Sequence, residues 1–188
     1  MGKNDDVPFR EKLFKRLKQP EIVSMSTAIE AVMQVIKENG KTNWYIMNAD
    51  IVNMLGITGH DVIYVFGTAN IPTIVLKDRS VIFIVQRNPI SKDIIPYLQL
   101  LDLTLLFRKI SKKNLKEALA KYREVIANLS GEEKKLLVKL ARKYTPFTRS
   151  ALALILGSLD EIRLSSKLSE SLNPEIIKKY REKLMFAF

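Results

Sequence analysis

Apolar residues recur along this chain in two rhythms, and the change from one to the other divides it. From Pro8 to Lys18, Phe9, Leu13, Phe14 and Leu17 fall at helical spacing among Arg10, Lys12, Lys15, Arg16 and Lys18, which predicts a short helix. That helix reads as a piece of the core with solvated lysines in preference to a basic arm held out for a partner. Thr27 and Glu30 read as a capping box opening a second helix. Its stripe is Ile29, Val32, Met33 and Ile36, and Gly40 is its stop. Trp44 to Ile46 reads as a short strand, and Asn48 as the cap of a helix carrying Ile51, Val52 and Leu55 up to Gly56. Three strand-like runs follow: Val62 to Phe66, Thr73 to Leu76 and Val81 to Val85. Lys77-Asp78-Arg79-Ser80 makes a hairpin turn between the last two. The runs are apolar on both faces, so helices are expected over at least one side of the sheet.

Beyond Pro96 the rhythm is helical throughout. Helices are predicted over Tyr97–Phe107, Leu115–Ile126, Glu132–Tyr144, Phe147–Leu156 and Pro174–Leu184. Thr145 caps the fourth of these, and Pro146 sits at its first position. The fold class expected is α+β: a small, mostly antiparallel sheet backed by helices, then an α-helical half. Residues 1–24 read as an N-terminal extension with a short basic helix. Residues 25–96 read as an α/β sheet subdomain and 97–188 as a basic helical subdomain, all packed as one compact unit. A chain of 188 residues buries roughly 70% of its unfolded surface, which is core enough without covalent staples.

Charge sharpens this division. Residues 1–107 carry 12 Lys+Arg against 11 Asp+Glu, whereas residues 108–188 carry 19 against 9. A positive field concentrated in one half favours encounter with anionic partners, protein or nucleic acid. The chain has no cysteine, which removes disulfides, thiolate nucleophiles and most zinc sites. No signal peptide is expected, because the polar stretch Met1 to Asp6 leads into no apolar run. The longest apolar runs, such as Val81 to Val85, are far shorter than a membrane span. A soluble, cytoplasmic protein is the expectation.

Catalytic motifs are scarce. The single histidine, His60, lies in the Gly59-His60-Asp61 turn and reads as a surface residue. Neither a nucleophile elbow nor a phosphate-cradling glycine loop can be written from seven scattered glycines. Asp61 and Asp78, with Lys77 beside the second, are the only acids at strand ends that a metal nuclease could use. The basic half supplies the better candidate. On the helix starting at Glu132, Leu136, Leu137, Leu140 and Ala141 form the stripe to be buried. Lys135, Lys139, Arg142 and Lys143 line the opposite face. Arg149 lies on the next helix, and Lys178, Lys179 and Arg181 lie on the last. Together they read as a basic ridge for phosphates or an acidic protein, or as a solvated face that keeps the helices soluble. The helix after Pro146 is too apolar to enter a DNA groove, so a helix-turn-helix is not expected.

Several segments in order resemble the AbiEi-like antitoxins of type IV toxin–antitoxin systems. They are Met25-Ser-Thr-Ala-Ile-Glu-Ala-Val32, Asn48-Ala-Asp-Ile-Val-Asn-Met-Leu-Gly-Ile-Thr58, Val62-Ile-Tyr-Val-Phe-Gly-Thr68, Val81-Ile-Phe-Ile-Val85, Tyr97-Leu-Gln-Leu-Leu-Asp102, Leu129-Ser-Gly-Glu-Glu133 and Ala141-Arg-Lys-Tyr-Thr-Pro-Phe-Thr-Arg-Ser-Ala-Leu152. The resemblance implies a non-enzymatic protein, without cofactor or metal, that antagonises a nucleotidyltransferase-fold toxin. Only about 24 residues precede Met25, so the DNA-binding winged helix typical of that family is not expected here. The alternative is a nucleic-acid-binding accessory protein of a plasmid or virus using the basic half, and a metal-dependent nuclease is a remote one. The apolar end Leu184-Met185-Phe186-Ala187-Phe188 reads either as the centre of a protein interface or as a tail docked on its own core.

Overall fold

In the computed structural model of the chain, which describes residues 6–47, 62–107, 112–170 and 172–185, the two rhythms become eight helices and one four-stranded sheet. The elements are α1 (Asp6–Leu17), α2 (Met25–Glu38), β1 (Tyr45–Ile46), β2 (Val62–Gly67), β3 (Ile74–Val75), β4 (Ser80–Val85), α3 (Ile95–Leu106), α4 (Lys112–Ala127), α5 (Gly131–Ala141), α6 (Pro146–Gly157), α7 (Ile162–Ser169) and α8 (Pro174–Met185). The α+β class holds. The described residues up to Ile95 form one compact unit and those from Pro96 onward a second. The described part of the N-terminal extension packs with the sheet: Phe9, Leu13 and Leu17 of α1 lie in the same core as Val32 and Val35 of α2 and Val65 and Val81 of the sheet. The basic-arm reading of α1 fails for that reason.

Local chemistry explains the start and stop of α2, with a correction. Ser24, not Thr27, is the cap: its extended backbone lets its hydroxyl accept the Thr27 amide at 3.1 Å, while Thr27 Oγ1 accepts the Ser24 amide at 3.0 Å. The helix therefore starts earlier than the Thr27–Glu30 reading placed it. Its buried face is Ala28, Ala31, Val32, Val35 and Ile36, with Ile29 at the margin and Met33 left 57% exposed. At the far end Gly40 takes φ +62. That left-handed turn brings the Lys41 amide onto the Ile36 carbonyl and the Gly40 amide onto that of Lys37, both at 3.0 Å.

The sheet order is β1-β2-β4-β3. β1 pairs antiparallel with β2, and β3 pairs antiparallel with β4 across the expected hairpin, closed by the Leu76 amide on the Arg79 carbonyl at 2.8 Å. The two long strands, β2 and β4, pair in parallel from Val62↔Ser80 to Gly67↔Val85, so the sheet is mixed. β3 takes the edge beyond β4, and this arrangement sends β4 back alongside β2 in the same direction. Ile63, Val65, Val81 and Phe83 face the core shared with α1 and α2. Tyr64 and Phe66 on the other face of β2 are buried too, and Tyr45 stacks on Phe66 at 5.1 Å. β2 is thus buried on both faces, whereas β4 is buried on one face and half-buried on the other.

Arg79, a turn residue by sequence, is 8% exposed. Its guanidinium pairs with the Asp78 carboxylate and donates to the Ser24 carbonyl at 3.0 Å, joining the hairpin to the cap of α2. Asp78, held below the ordinary carboxylate pKa chiefly by that hydrogen bond, serves packing here.

The second unit is built around α6, which packs on α4, α7 and α8, while α5 packs on α7. Thr145 caps α6, with Pro146 at its start as expected, and eight residues of the helix from Phe147 to Leu156 are buried. A groove-reading role for α6 is excluded by that burial. One helix, α7, has no counterpart in the sequence reading: it is eight residues long and its cap position, Glu161, makes no side-chain capping bond.

Candidate functional site

Acids lead the α5 helix and bases end it. Ser130 and Glu133 form a reciprocal capping box, and Glu132 stands beside them in the first turn. This order suits the helix dipole, whose N-terminal end is positive and C-terminal end negative. Tyr97 OH on α3 donates to Glu133 Oε1 at 2.9 Å. Glu133 is held below its ordinary pKa by the Ser130 hydroxyl, then the Ser130 amide, then Tyr97. Tyr97 is pushed up, chiefly because its hydroxyl is bonded to that carboxylate. A depressed carboxylate contributes stability at pH above its unfolded value near 4.5, and the contribution disappears as pH falls through the lower folded value. A raised phenol contributes below its unfolded value of 10.0 and loses this as pH rises through the folded one. Glu133→Gln should therefore flatten the fall of thermal stability between about pH 5 and pH 3 relative to the parent chain. Identical slopes would show that the capping carboxylate contributes nothing.

The bases of α5 separate into three kinds. Lys134, only 12% exposed in its side chain, reaches Glu161 at 3.1 Å and clamps α5 to the start of α7. Lys135 is exposed but bound to Glu132 of its own helix at 2.6 Å. Lys139 and Arg142 are exposed and form no ion pair among the described residues, and Lys143 is exposed beside them. These last three gather where α5 ends, with Arg142 at the C-cap. Repulsion among them is partly offset by the negative end of the dipole, at about 0.3–1 kcal/mol each.

A buried network fixes that end in place. Tyr144, just past Lys143, donates its hydroxyl to Asp102 Oδ1 at 2.7 Å, and Asp102 is 1% exposed. Thr104 and Thr148 share a hydroxyl hydrogen bond at 2.7 Å between α3 and α6. The cations thus sit on a turn anchored by charged and neutral hydrogen bonds in a low-dielectric interior, where such bonds are strong.

The other expected contact residues are distributed differently. Arg149 on α6 is half-buried with its Nε enclosed, so it belongs to the packing and not to the exposed ridge. Lys178 and Lys179 are exposed on α8, which is held to α6 in part by the edge-on Phe147–Tyr180 ring pair at 5.3 Å. The side chain of Arg181 lies outside the described residues, as do Asn48, His60 and Asp61 and the side chains of Leu184 to Phe188. α5 packs on α7 and α8 on α6, so the single ridge of the sequence becomes sets of cations on helices with different packing partners.

Sequence reasoning missed Asp102, Tyr144, Lys134 and Glu161. Asp102 had a readable signal: a lone acid inside the apolar run Tyr97 to Leu106 is buried only with a partner. The Lys134–Glu161 contact had none, since its ends lie 27 residues apart and α7 was unforeseen. Among the described residues no group of three or more His, Asp or Glu is placed to hold a metal ion. No helix among them is long and apolar enough to cross a membrane. Compared with known proteins, the chain matches no family model, no curated protein and no solved structure.

Proposed function

We propose that this protein is a non-enzymatic, cytoplasmic antagonist of the antitoxin type, and that its helical unit docks an acidic face of a nucleotidyltransferase-fold toxin. The observation that carries the reading is the exposed group Lys139, Arg142 and Lys143 at the end of α5. Unlike Lys134 and Lys135, the first two are not engaged with acids of the described chain. Cations held on an anchored turn lose little conformational entropy on docking, which favours binding at a given contact area. The resemblance of the segments from Met25 to Leu152 supports the choice of partner.

Co-expression tests this. A nucleotidyltransferase-fold protein encoded beside the gene should arrest growth alone and be relieved by the parent chain. A Lys139→Glu, Arg142→Glu, Lys143→Glu chain should fail to relieve it and bind at least tenfold more weakly, because like charges across an interface are costly. Relief that survives the triple reversal refutes the surface assignment. The same exposed cations would also serve a nucleic-acid partner, and salt distinguishes the two. Tight duplex binding whose log K falls by about 3 per decade of salt, matching three neutralised phosphates, would replace the toxin partner with a polynucleotide.

A further inference from the structure

Asn39-Gly40 is the single Asn-Gly pair in the chain, and it stands where α2 ends. Such a pair carries a reaction of its own, because the amide nitrogen that follows an asparagine can attack the carbon of its side-chain amide. Glycine is the most permissive second residue: it has no Cβ to screen its nitrogen, and its backbone turns freely into the geometry of attack. Apart from its chain neighbours, nothing lies within 4 Å of where a Cβ on Gly40 would stand. Asn39 is exposed to the water that the second step of the reaction consumes.

The C-cap of α2 holds each participant out of position. Asn39 Nδ2 donates to the Val35 carbonyl at 2.7 Å, which ties the side-chain amide one turn back along the helix. The Gly40 amide, the nucleophile, is engaged as a donor to the Lys37 carbonyl at 3.0 Å. With Asn39 at ψ 13, the Gly40 nitrogen eclipses the nitrogen of Asn39, and ring closure needs it rotated round beside Cβ. That rotation also pulls the Lys41 amide off the Ile36 carbonyl, where it sits at 3.0 Å. Reaction therefore waits on a local opening of the turn. Its products do not restore the cap. A carboxylate has no proton for the Val35 carbonyl and faces the negative end of the helix dipole. Isoaspartate adds a carbon to the main chain, which takes the left-handed Gly40 turn, at φ +62, out of register with the helix.

We propose that Asn39 is a self-modification site gated by the cap of α2, at which each opening of the turn exposes the chain to irreversible loss of that cap. The Gly40 nitrogen bonds to Asn39 Cγ, the Cγ–Nδ2 bond breaks, and ammonia leaves with the amide proton, giving a cyclic imide. Water then opens the imide at Cγ to give aspartate, or at the main-chain carbonyl to give isoaspartate, and nothing is oxidised or reduced. The inference stands apart from the toxin reading, whose residues are all in the other unit. The whole chain is incubated at neutral pH, folded and in urea, with residue 39 followed by peptide mass spectrometry. Isoaspartate should appear there before any other asparagine is modified, and roughly tenfold or more slowly in the folded chain than in the unfolded one. The ratio of the two rates should match, within about threefold, the open fraction read from hydrogen exchange of the Gly40 amide. Asn39→Gln, whose attack would need a larger ring, should stay unmodified over the same interval. Asn39→Asp should speed exchange of the Gly40 and Lys41 amides with unchanged circular dichroism. Equal rates in the two states, a first product at another asparagine, a folded rate outside that match, or parent-like exchange in Asn39→Asp would each overturn the proposal.

Discussion

Gly67→Ala is expected to destabilise the first unit by about 2–3 kcal/mol, against the usual gain of roughly 0.5–1 kcal/mol for replacing a strand glycine by alanine. The reason is the Trp44 indole, which occupies the space a side chain would need. A Cβ on Gly67 would stand 2.4 Å from Trp44 Cδ2 and Cε2 and 2.8 Å from Cε3. Phe9, edge-on at 5.3 Å, and Phe83, at 6.0 Å, hold the indole on the core side. Trp44 and Gly67 flank the Tyr45↔Phe66 pair at the end of β2, so the backbone would also have to leave its ladder. Gly67→Val should cost more still. Urea unfolding followed by circular dichroism measures both, and Trp44→Leu in the Gly67→Ala background should cost less than the two single changes added together. A Gly67→Ala chain as stable as the parent would mean that the strand and the indole are not locked in this way.

Phe9→Ala should be the other severe change, at about 3–5 kcal/mol. Phe9 is 1% exposed and meets Trp44 and Phe83 edge-to-face at 5.3 and 6.3 Å. Truncation removes both ring contacts and leaves a cavity in the tightest part of the core. Lys12→Ala on the same helix is the control. Its ion pair with Glu38, 2.9 Å long, has both side chains roughly half exposed and screened by solvent, so its loss should be barely measurable. If Phe9→Ala were as mild as Lys12→Ala, α1 would be an appendage after all and the basic-arm reading would return.

These two changes bear on where function can reside. The first unit is pinned by an aromatic cluster that joins α1, the start of β1 and β4. In the second unit Lys139, Arg142 and Lys143 are exposed at the end of α5, and their support is a carboxylate–phenol bond set below the surface. Substitution of the cations should change binding while leaving stability nearly untouched.

Features set within one helical turn were legible without coordinates. Thr145 before Pro146, Gly40 after the apolar run of α2, and the Lys77–Ser80 turn each act through hydrogen bonds and backbone sterics that span three or four residues, and each appears where expected. The two-faced apolar character of β2 and the concentration of charge beyond residue 107 were equally plain. Long-range packing decided the rest. Ser24 takes the cap in place of Thr27 through a local capping box, and only the fold adds the Arg79 guanidinium on its carbonyl. The parallel pairing of β2 with β4, the burial of Arg79 and the packing of α7 on α6 depend on partners well beyond one helical turn, and no local preference encodes them.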